Sequence, residues 1–272
     1  MGIRVKRHKK KWLPVLLCVG IIFLTPLLSG LVINLAKVQG EPSLPEDTAQ
    51  FREMKVAAER LAGYQEWGKK EYHQLAKDYL YYDGRITKGM EPVSSFCWYS
   101  MLLPKKKSDG FAKAFQTVLA DVKCFPVAKD AQRRETVSFE DSWGKSRTYG
   151  GNRLHEGTDI MTSNNVRGYF SVVSVSDGIV EKKGWLKLGG YRLGIRSPGG
   201  AYFYYAHLAN YADGIQEGST VKAGQVIGTM GDSGYGKEGT VGKFDVHLHF
   251  GIYIKMGKKE VSVNPYEILR AV

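Results

Sequence analysis

The segment Phe244–Tyr253 alternates two histidines with large apolar residues, and this alternation constrains the fold more than any other part of the sequence. His247 and His249 share one parity, whereas Val246 and Leu248 share the other. Successive side chains of an extended strand point to opposite faces of a sheet. The pattern therefore predicts a strand whose apolar face covers a core and whose other face carries two neighbouring imidazoles. Because imidazole nitrogens are common zinc ligands, this strand supplies part of a candidate metal site.

A second cluster runs from His155 to Asp159. Gly157 disfavours a helix, so a turn entering a strand is predicted, and the even spacing of His155 and Asp159 lets both side chains face one side of it. With one imidazole of the strand pair, these residues give three ligands and leave a tetrahedral position open, as in catalytic zinc sites. Zinc is favoured over calcium or magnesium because two ligands are nitrogen. Parity alone leaves open which strand histidine is the third ligand.

His207 follows Tyr204-Tyr205-Ala206 at the predicted end of another strand, where a side chain can overhang a cleft. A metal-activated water needs a proton acceptor, and the scissile amide needs a proton donor. Glu156 is predicted to point away from the metal face. The acid–base candidates are therefore His207 and whichever strand histidine is not a ligand.

Residues 126–272 are rich in glycine and in short β-branched runs between turn signals, which predicts an all-β sandwich or barrel-like domain. No periodic helical pattern interrupts these runs, which disfavours a parallel α/β sheet. The predicted strands are Ser171–Val175, Gly178–Lys182, Arg192–Ser197, Ala201–His207, Gln225–Met230 and Val246–Ile254.

The N-terminal residues predict a membrane anchor. No charged residue occurs from Leu13 to Ala36, which is long enough for a helix to span a bilayer. Half of the formal net charge of +12 lies before it, in residues 1–12. The positive-inside rule then predicts a cytoplasmic tail (1–12), a single span (13–36) and an extracytoplasmic remainder. The alternative is a cleaved signal peptide, although the apolar run is long for one. A nucleic-acid partner is not expected, since no basic stripe with interleaved aromatics follows.

Residues 37–125 predict a small helical spacer, with apolar residues at helical spacing in three segments, Phe51–Ala62, Tyr72–Leu80 and Asp109–Val122. We expect its aromatic residues to form a core, and residues 41–125 could dock a protein partner. Cys97 and Cys124 would lie outside the membrane, where a disulfide is allowed; the alternative is two separate thiols.

A series of short motifs occurs between Trp143 and Ile254, covering less than half of the chain: Trp143-Gly144 with Arg147, His155-x-Gly157-x-Asp159, Ser176-Asp177-Gly178-x-Val180, Tyr205-Ala206-His207-Leu208, Val221-Lys222-Ala223-Gly224-Gln225-x-Ile227-Gly228, Gly231-Asp232-Ser233-Gly234 and His247-Leu248-His249-Phe250. In these motifs and their order, the chain resembles the lysostaphin/LytM-type zinc endopeptidases of bacterial cell walls.

The resemblance implies a mainly β fold in which an antiparallel sheet floors a groove walled by loops. It implies that His155, Asp159 and His249 bind one zinc ion per chain. It places His207 and His247 beside the metal water, one as general base and both steadying the oxyanion. The implied substrate is peptidoglycan, cleaved in its stem peptides or cross-bridges.

One segment departs from the family pattern. The loop Tyr235–Asp245 is longer than in many relatives and is predicted to reshape a groove wall.

Two alternative functions compete with that of a zinc endopeptidase. One alternative is a non-catalytic wall-binding or scaffolding protein of the same fold, acting in division or sporulation. Such members often lose a ligand, and none is missing here. The other is a carrier module akin to lipoyl or sugar-phosphotransfer domains, which leaves the candidate ligands unexplained.

Overall fold

The structure, a computed structural model, describes residues 49–94, 96–97, 99, 102–129, 135–148, 151–256 and 259–272. The predicted cytoplasmic tail (1–12) and membrane span (13–36) lie outside these ranges. Within them, no helix combines the length and the apolar character needed to cross a membrane.

Among the described residues, an antiparallel sheet of ten strands is the largest element, and two further strands form a separate pair. The strands are β1 (Val137–Phe139), β2 (Ser146–Arg147), β3 (Arg153–Leu154), β4 (Thr158–Thr162), β5 (Ser171–Val173), β6 (Gly178–Leu186), β7 (Gly190–Arg196), β8 (Tyr202–Tyr211), β9 (Thr220–Val221), β10 (Val226–Met230), β11 (His247–Met256) and β12 (Lys259–Val263). The main path runs β1-β4-β11-β8-β7-β6-β9; β10 pairs with β5 and β8, and β12 pairs with β11. The prediction of a mainly β, antiparallel fold is confirmed.

The two central strands, β8 and β11, separate a core face from an open face as their alternation predicts. Phe203 and Tyr205 of β8 and Leu248 and Phe250 of β11 are fully buried. Burying each such side chain stabilises the fold by about 1.5–3 kcal/mol. Because a one-residue slip would exchange the two faces, this burial fixes the register that puts the histidines of β11 on the open face.

Five α-helices flank the sheet within the described residues: α1 (Ala49–Arg52), α2 (Ala58–Leu61), α3 (Lys69–Tyr81), α4 (Lys105–Leu119) and α5 (Tyr266–Ala271). The predicted second and third helices are confirmed as α3 and α4. The prediction of one helix from Phe51 to Ala62 is wrong, because Met54 adopts a left-handed conformation (φ 46°) and Val56 forms a β-bridge with Ile86. These two features divide the segment into α1 and α2.

The helices and the sheet share one continuous cluster of buried apolar side chains. Within it, the Phe51 ring packs edge-on against Tyr79 of α3 and Phe115 of α4. Helix α4 in turn contacts β11. The aromatic residues of the helical segment thus serve largely as core, as predicted. Cys97 and Cys124 are free, so of the two cysteine alternatives the structure has separate thiols.

Arg52 joins the helical segment to the sheet. Its Nε donates to the Ser262 carbonyl at 2.8 Å, its Nη2 donates to Ser262 Oγ at 3.1 Å, and its guanidinium lies 5.6 Å from the Trp143 ring centroid. We expect Arg52→Ala to lower the free energy of unfolding by about 1–3 kcal/mol, because a buried carbonyl loses its charged donor. Denaturant titration followed by tryptophan fluorescence measures this. Exposed Arg85→Ala is the control; equal midpoints for the two variants would contradict the role of Arg52.

Candidate metal centre

Three neighbouring strands, β4, β11 and β8, place Asp159, His249 and Ala206 side by side across the sheet. Asp159 of β4 pairs with His249 of β11, and His249 pairs on its other side with Ala206 of β8. His247, two residues earlier, pairs with Met161 instead. Paired residues of adjacent antiparallel strands have Cβ atoms roughly 4.5–5.5 Å apart. Strand pairing therefore brings His249, rather than His247, directly beside the Asp159 carboxylate.

His155 reaches the same place from the turn before β4. Its backbone N–H donates to the Lys145 carbonyl at 2.9 Å, and its carbonyl accepts from Gly144 N–H at 2.8 Å. Its ring Nδ1 lies 3.0 Å from the Ser142 carbonyl oxygen. Arg147 Nη2 also lies 3.2 Å from this Nδ1, but that nitrogen donates to Asp159 Oδ2 over the shorter distance of 2.6 Å. Because a carbonyl can only accept, the bond to Ser142 favours the proton on Nδ1 and leaves the Nε2 lone pair for a ligand.

The three candidate ligand atoms form a compact triangle. His155 Nε2 lies 3.0 Å from Asp159 Oδ1 and 2.9 Å from His249 Nδ1, and His249 Nδ1 lies 3.0 Å from Asp159 Oδ1. Two nitrogens and one carboxylate oxygen converging in this way could hold a metal ion. The donor set suits zinc, which binds imidazole and carboxylate and keeps a further position open in catalytic sites. The side chains present therefore fit the ion that the sequence predicts.

Arg147 holds the outer side of the triangle. Its Nη2 donates to Asp159 Oδ2 at 2.6 Å, which leaves Oδ1 facing the two imidazoles. Hydrogen bonds to the far side of a ligand fix its orientation and contribute to metal affinity. The sequence motifs include Arg147 but assign it no role. Its role in orienting Asp159 depends on a contact in space that only the folded chain forms.

Gly157 leaves room for the His249 ring. A Cβ at this position would lie 2.5 Å from the Phe250 carbonyl oxygen and 2.8 Å from both Cε1 and Nε2 of His249. Such contacts are too close for any side chain. The glycine between His155 and Asp159 is thus required by the close approach of the imidazole, not by an unusual backbone conformation.

His207 reaches the open face through an irregularity inside β8, so its prediction as a strand end is wrong. Between the pairs Tyr191–Leu208 and Leu193–Tyr205, two residues of β8 face the single residue Arg192 of β7. His207 has a left-handed backbone (φ 62°) at this bulge. Strict alternation would put His207 on the core face with Tyr205; the bulge redirects it to the side of Ala206.

Two further imidazoles stand beside the triangle, each held through its Nδ1. His207 Nδ1 donates to the Ser233 carbonyl at 2.8 Å, and His247 Nδ1 donates to the Asp245 carbonyl at 2.7 Å. The two rings lie 4.7 Å apart between centroids. His247 Nε2 is 3.8 Å from Asp159 Oδ1. These bonds set the tautomers, so each Nε2 carries the lone pair when the ring is neutral.

Burial controls the protonation of this cluster. Burial lowers the pKa of the His249 imidazole, although Asp159 opposes the shift. Burial, with the nearby imidazoles of His247 and His249, also holds the pKa of His207 well below its usual value. Both rings are therefore neutral at neutral pH. Burial raises the pKa of the Asp159 carboxyl, but hydrogen bonds with His155 and His249 outweigh it and leave that pKa below its usual value.

Residues 153–265, which include all five of these histidine and aspartate positions, match the family described as peptidase family M23. The chain is 48% identical over 138 residues to the L-Ala–D-Glu endopeptidase of Bacillus subtilis, covering 51% of this chain and 41% of that relative. It is 27% identical over 153 residues to the glycyl-glycine endopeptidase ALE-1 of Staphylococcus capitis, covering 53% and 39% respectively. The chain thus spans about two fifths of the length of these curated relatives.

A crystal structure of a LytM protein from Ruminococcus gnavus is similar over a greater length. The two chains are 39% identical and superpose with a TM-score of 0.72, and the match covers 88% of this chain and 94% of the other. The chain belongs to peptidase family M23. The lysostaphin/LytM resemblance seen in the sequence is thereby confirmed, and the match with the LytM structure extends beyond the β domain into the helical segment.

In this M23 chain the three candidate ligands and the two outer histidines, His207 and His247, lie in a cleft of about 610 Å³. These five residues are called the metal-site cluster below. Tyr235, at the start of the long loop, lines that cleft, and its ring packs against Phe244 at the end of the loop. Phe244 in turn lies 4.6 Å from His207 and 5.0 Å from His247 between ring centroids. The loop therefore walls the cleft beside the two outer histidines, a role that the sequence predicted only in outline.

Sequence reasoning overlooked several residues that shape the M23 cleft. Tyr204 packs edge-on against the His249 ring at 5.9 Å. Gly251, paired with Tyr204, leaves room for the Tyr253 ring, whose Cε2 would lie 2.9 Å from an added Cβ. Arg153 and Arg192 also line the cleft. Their signal in the sequence was weak, because a basic residue on a strand looks the same whether it meets solvent or a substrate.

Proposed function

We propose that this protein is a membrane-anchored zinc endopeptidase of bacterial peptidoglycan. The observation that carries the proposal is the triangle of His155, Asp159 and His249, with the Nε2 atoms of His207 and His247 beside it, inside one cleft of an M23 fold. The complete donor set weighs against the non-catalytic scaffolding alternative. It also weighs against a carrier module, which has no use for three converging ligands.

His155 Nε2, Asp159 Oδ1 and His249 Nδ1 would hold the zinc ion. When bound, zinc supplies Lewis-acid chemistry, polarising the scissile carbonyl and making water more acidic. Arg147 keeps the second oxygen of Asp159 occupied, so that Oδ1 stays turned towards the two imidazoles. The Ser142 carbonyl keeps the His155 ring in the tautomer with a free Nε2 lone pair.

His207 and His247 would handle protons and charge. One neutral ring accepts the proton of the attacking water at Nε2 and then carries an N–H there. That N–H can donate to the negatively charged oxygen of the tetrahedral carbon and then pass its proton to the leaving amine. The Ser233 and Asp245 carbonyls hold the two rings so that Nε2 faces the cleft throughout.

The location follows from residues 1–36. A basic tail before an uncharged run of bilayer length would leave the N-terminus in the cytoplasm and the cleft on the outer side, where peptidoglycan lies. Residues 41–125 could there dock a protein partner. The substrate bond is a stem-peptide bond or a cross-bridge bond; the names of the two curated relatives give one example of each.

The test uses the full chain, purified in detergent, and isolated cell walls. We expect about one zinc per chain by elemental mass spectrometry, clearing of wall turbidity, loss of clearing with a chelator and its recovery with added zinc. His249→Ala should lose the metal and the clearing together. Intact zinc without any clearing or peptide release would count against an endopeptidase.

A further inference from the structure

Arg153 and Arg192 bring positive charge to the cleft beside the metal-site cluster. Arg192 lies on β7, where the neighbouring Leu193 is fully buried in the core, so Arg192 faces the open side. It stands opposite the bulge that redirects His207. Arg153 lies in the short hairpin of β2 and β3, which pairs it with Arg147. The two side chains thus enter the same cleft from separate elements.

These two arginines differ from the other arginines of this face. Arg147 and Arg196 form ion pairs with carboxylates. Within the part of the chain that the structure describes, Arg153 and Arg192 form none. The Nε of Arg153 and the Nη1 of Arg192 are buried and lack a hydrogen-bond partner. Buried donors without partners are costly in native proteins and therefore point to a ligand that supplies the acceptor.

The guanidiniums of Arg153 and Arg192 both lie close enough to the Tyr204 phenol to affect its pKa. Burial raises the pKa of Tyr204, and the positive charges of Arg192 and Arg153 oppose that rise. The Tyr204 ring itself lies 5.9 Å from the His249 ring. Three carboxylates line the cleft, and Asp159 and Glu260 are paired with Arg147 and Arg196. Among the described residues this leaves Glu156 as the one unpaired carboxylate of the cleft, against two unpaired arginines.

We propose that Arg153 and Arg192 form a carboxylate-binding subsite, and that the protein cleaves peptides carrying a free carboxylate on the residue next to the scissile bond. The inference rests on the proposed function and names its substrate class. A glutamyl residue in a peptide keeps one carboxyl group free whichever of its two joins the next residue, whereas a glycine bridge offers none. Paired N–H groups of a guanidinium match a carboxylate in geometry and charge. The subsite therefore selects the acidic stem peptide over a neutral glycine bridge.

The test compares two synthetic peptides, N-acetyl-L-Ala–D-Glu–L-Lys with a free glutamyl carboxylate and its carboxamide analogue, on the zinc-loaded full chain. We expect kcat/KM to be about 10- to 100-fold higher for the carboxylate peptide, as for the loss of a charge-assisted hydrogen bond. Arg192→Gln and Arg153→Gln should remove most of this preference, chiefly through KM, because they lower kcat/KM far more for the carboxylate peptide than for the amide peptide. Exposed Arg85→Gln is the matched control.

Zinc content and unfolding midpoint should not change in either variant, which separates a lost subsite from a damaged fold. Equal kcat/KM and equal calorimetric affinity for the two peptides would overturn the subsite, as would an equal loss on both peptides in Arg192→Gln. If neither peptide is cleaved, yet the carboxylate peptide binds more tightly and Arg192→Gln abolishes the difference, the proposed function fails and the subsite stands.

Discussion

Gly157→Ala is expected to disable the metal centre without replacing any candidate ligand. The added Cβ would meet the Phe250 carbonyl at 2.5 Å and the His249 ring at 2.8 Å. The carbonyl belongs to β11 and cannot move without disturbing its pairing with β4, so the His249 ring must turn out of the triangle. We expect zinc affinity to fall about 10- to 100-fold or more, and activity with it, because a displaced ligand is nearly a lost one. Competition with a chromogenic chelator measures the affinity.

Gly68→Ala is the matched control for this substitution. Gly68 lies at the start of α3, and the nearest atom to its added Cβ would be Glu71 Oε2 at 3.4 Å, an ordinary contact. Overpacking at Gly157 should also lower the free energy of unfolding by about 1–3 kcal/mol. A Gly157→Ala protein that binds zinc as tightly as the Gly68→Ala control would contradict the steric account of this glycine.

His207→Ala is expected to separate chemistry from metal binding. The ring is not part of the triangle, so zinc content should stay at the wild-type level. Its Nε2 is one of two candidate sites for proton transfer, and losing a positioned acid–base group costs about 10²–10⁴ in kcat. KM should change little if the ring acts mainly after the substrate binds. Steady-state hydrolysis of a defined wall peptide gives both constants.

His73→Ala provides the comparison, because His73 is the histidine of α3, which bonds to Lys69 and Asp109 away from the cleft. His207→Gln adds a second test, since an amide can hydrogen-bond at neutral pH but cannot take up the proton. Loss of zinc from His207→Ala, or a kcat within about threefold of wild type, would remove His207 from the proposed chemistry.

The sequence predicted the elements whose signal is local. The alternation of β11 assigned its histidines to the open face, because Leu248 and Phe250 require burial on the other. The spacing of His155 and Asp159 predicted a shared side, which the structure confirms with a 3.0 Å contact. The antiparallel β class followed from short strands between turns. In each case the structural information lies in an alternation with a period of two residues, which is visible in the sequence.

The prediction failed where a single residue breaks the period. Phe51–Ala62 has helical spacing, yet a left-handed Met54 and the bridge between Val56 and Ile86 divide it. His207 was placed at a strand end, whereas a bulge within β8 turns it towards the cleft. Neither break has a strong sequence signal. A left-handed backbone is uncommon for any residue except glycine, even for His, which adopts it more often than Met does, and surrounding contacts make that conformation stable.

The sequence by itself thus determined the kinds of side chain available, their faces on each strand and the family to which they belong. Only the tertiary structure decided their partners. It placed His249 rather than His247 opposite Asp159 and brought Arg147 to the Asp159 carboxylate. Among the residues that the structure describes, it left Arg153 and Arg192 without a carboxylate partner. The reason is physical: alternation is a property of one strand, whereas pairing and register arise between strands that are distant in sequence and are fixed by burial of the whole sheet.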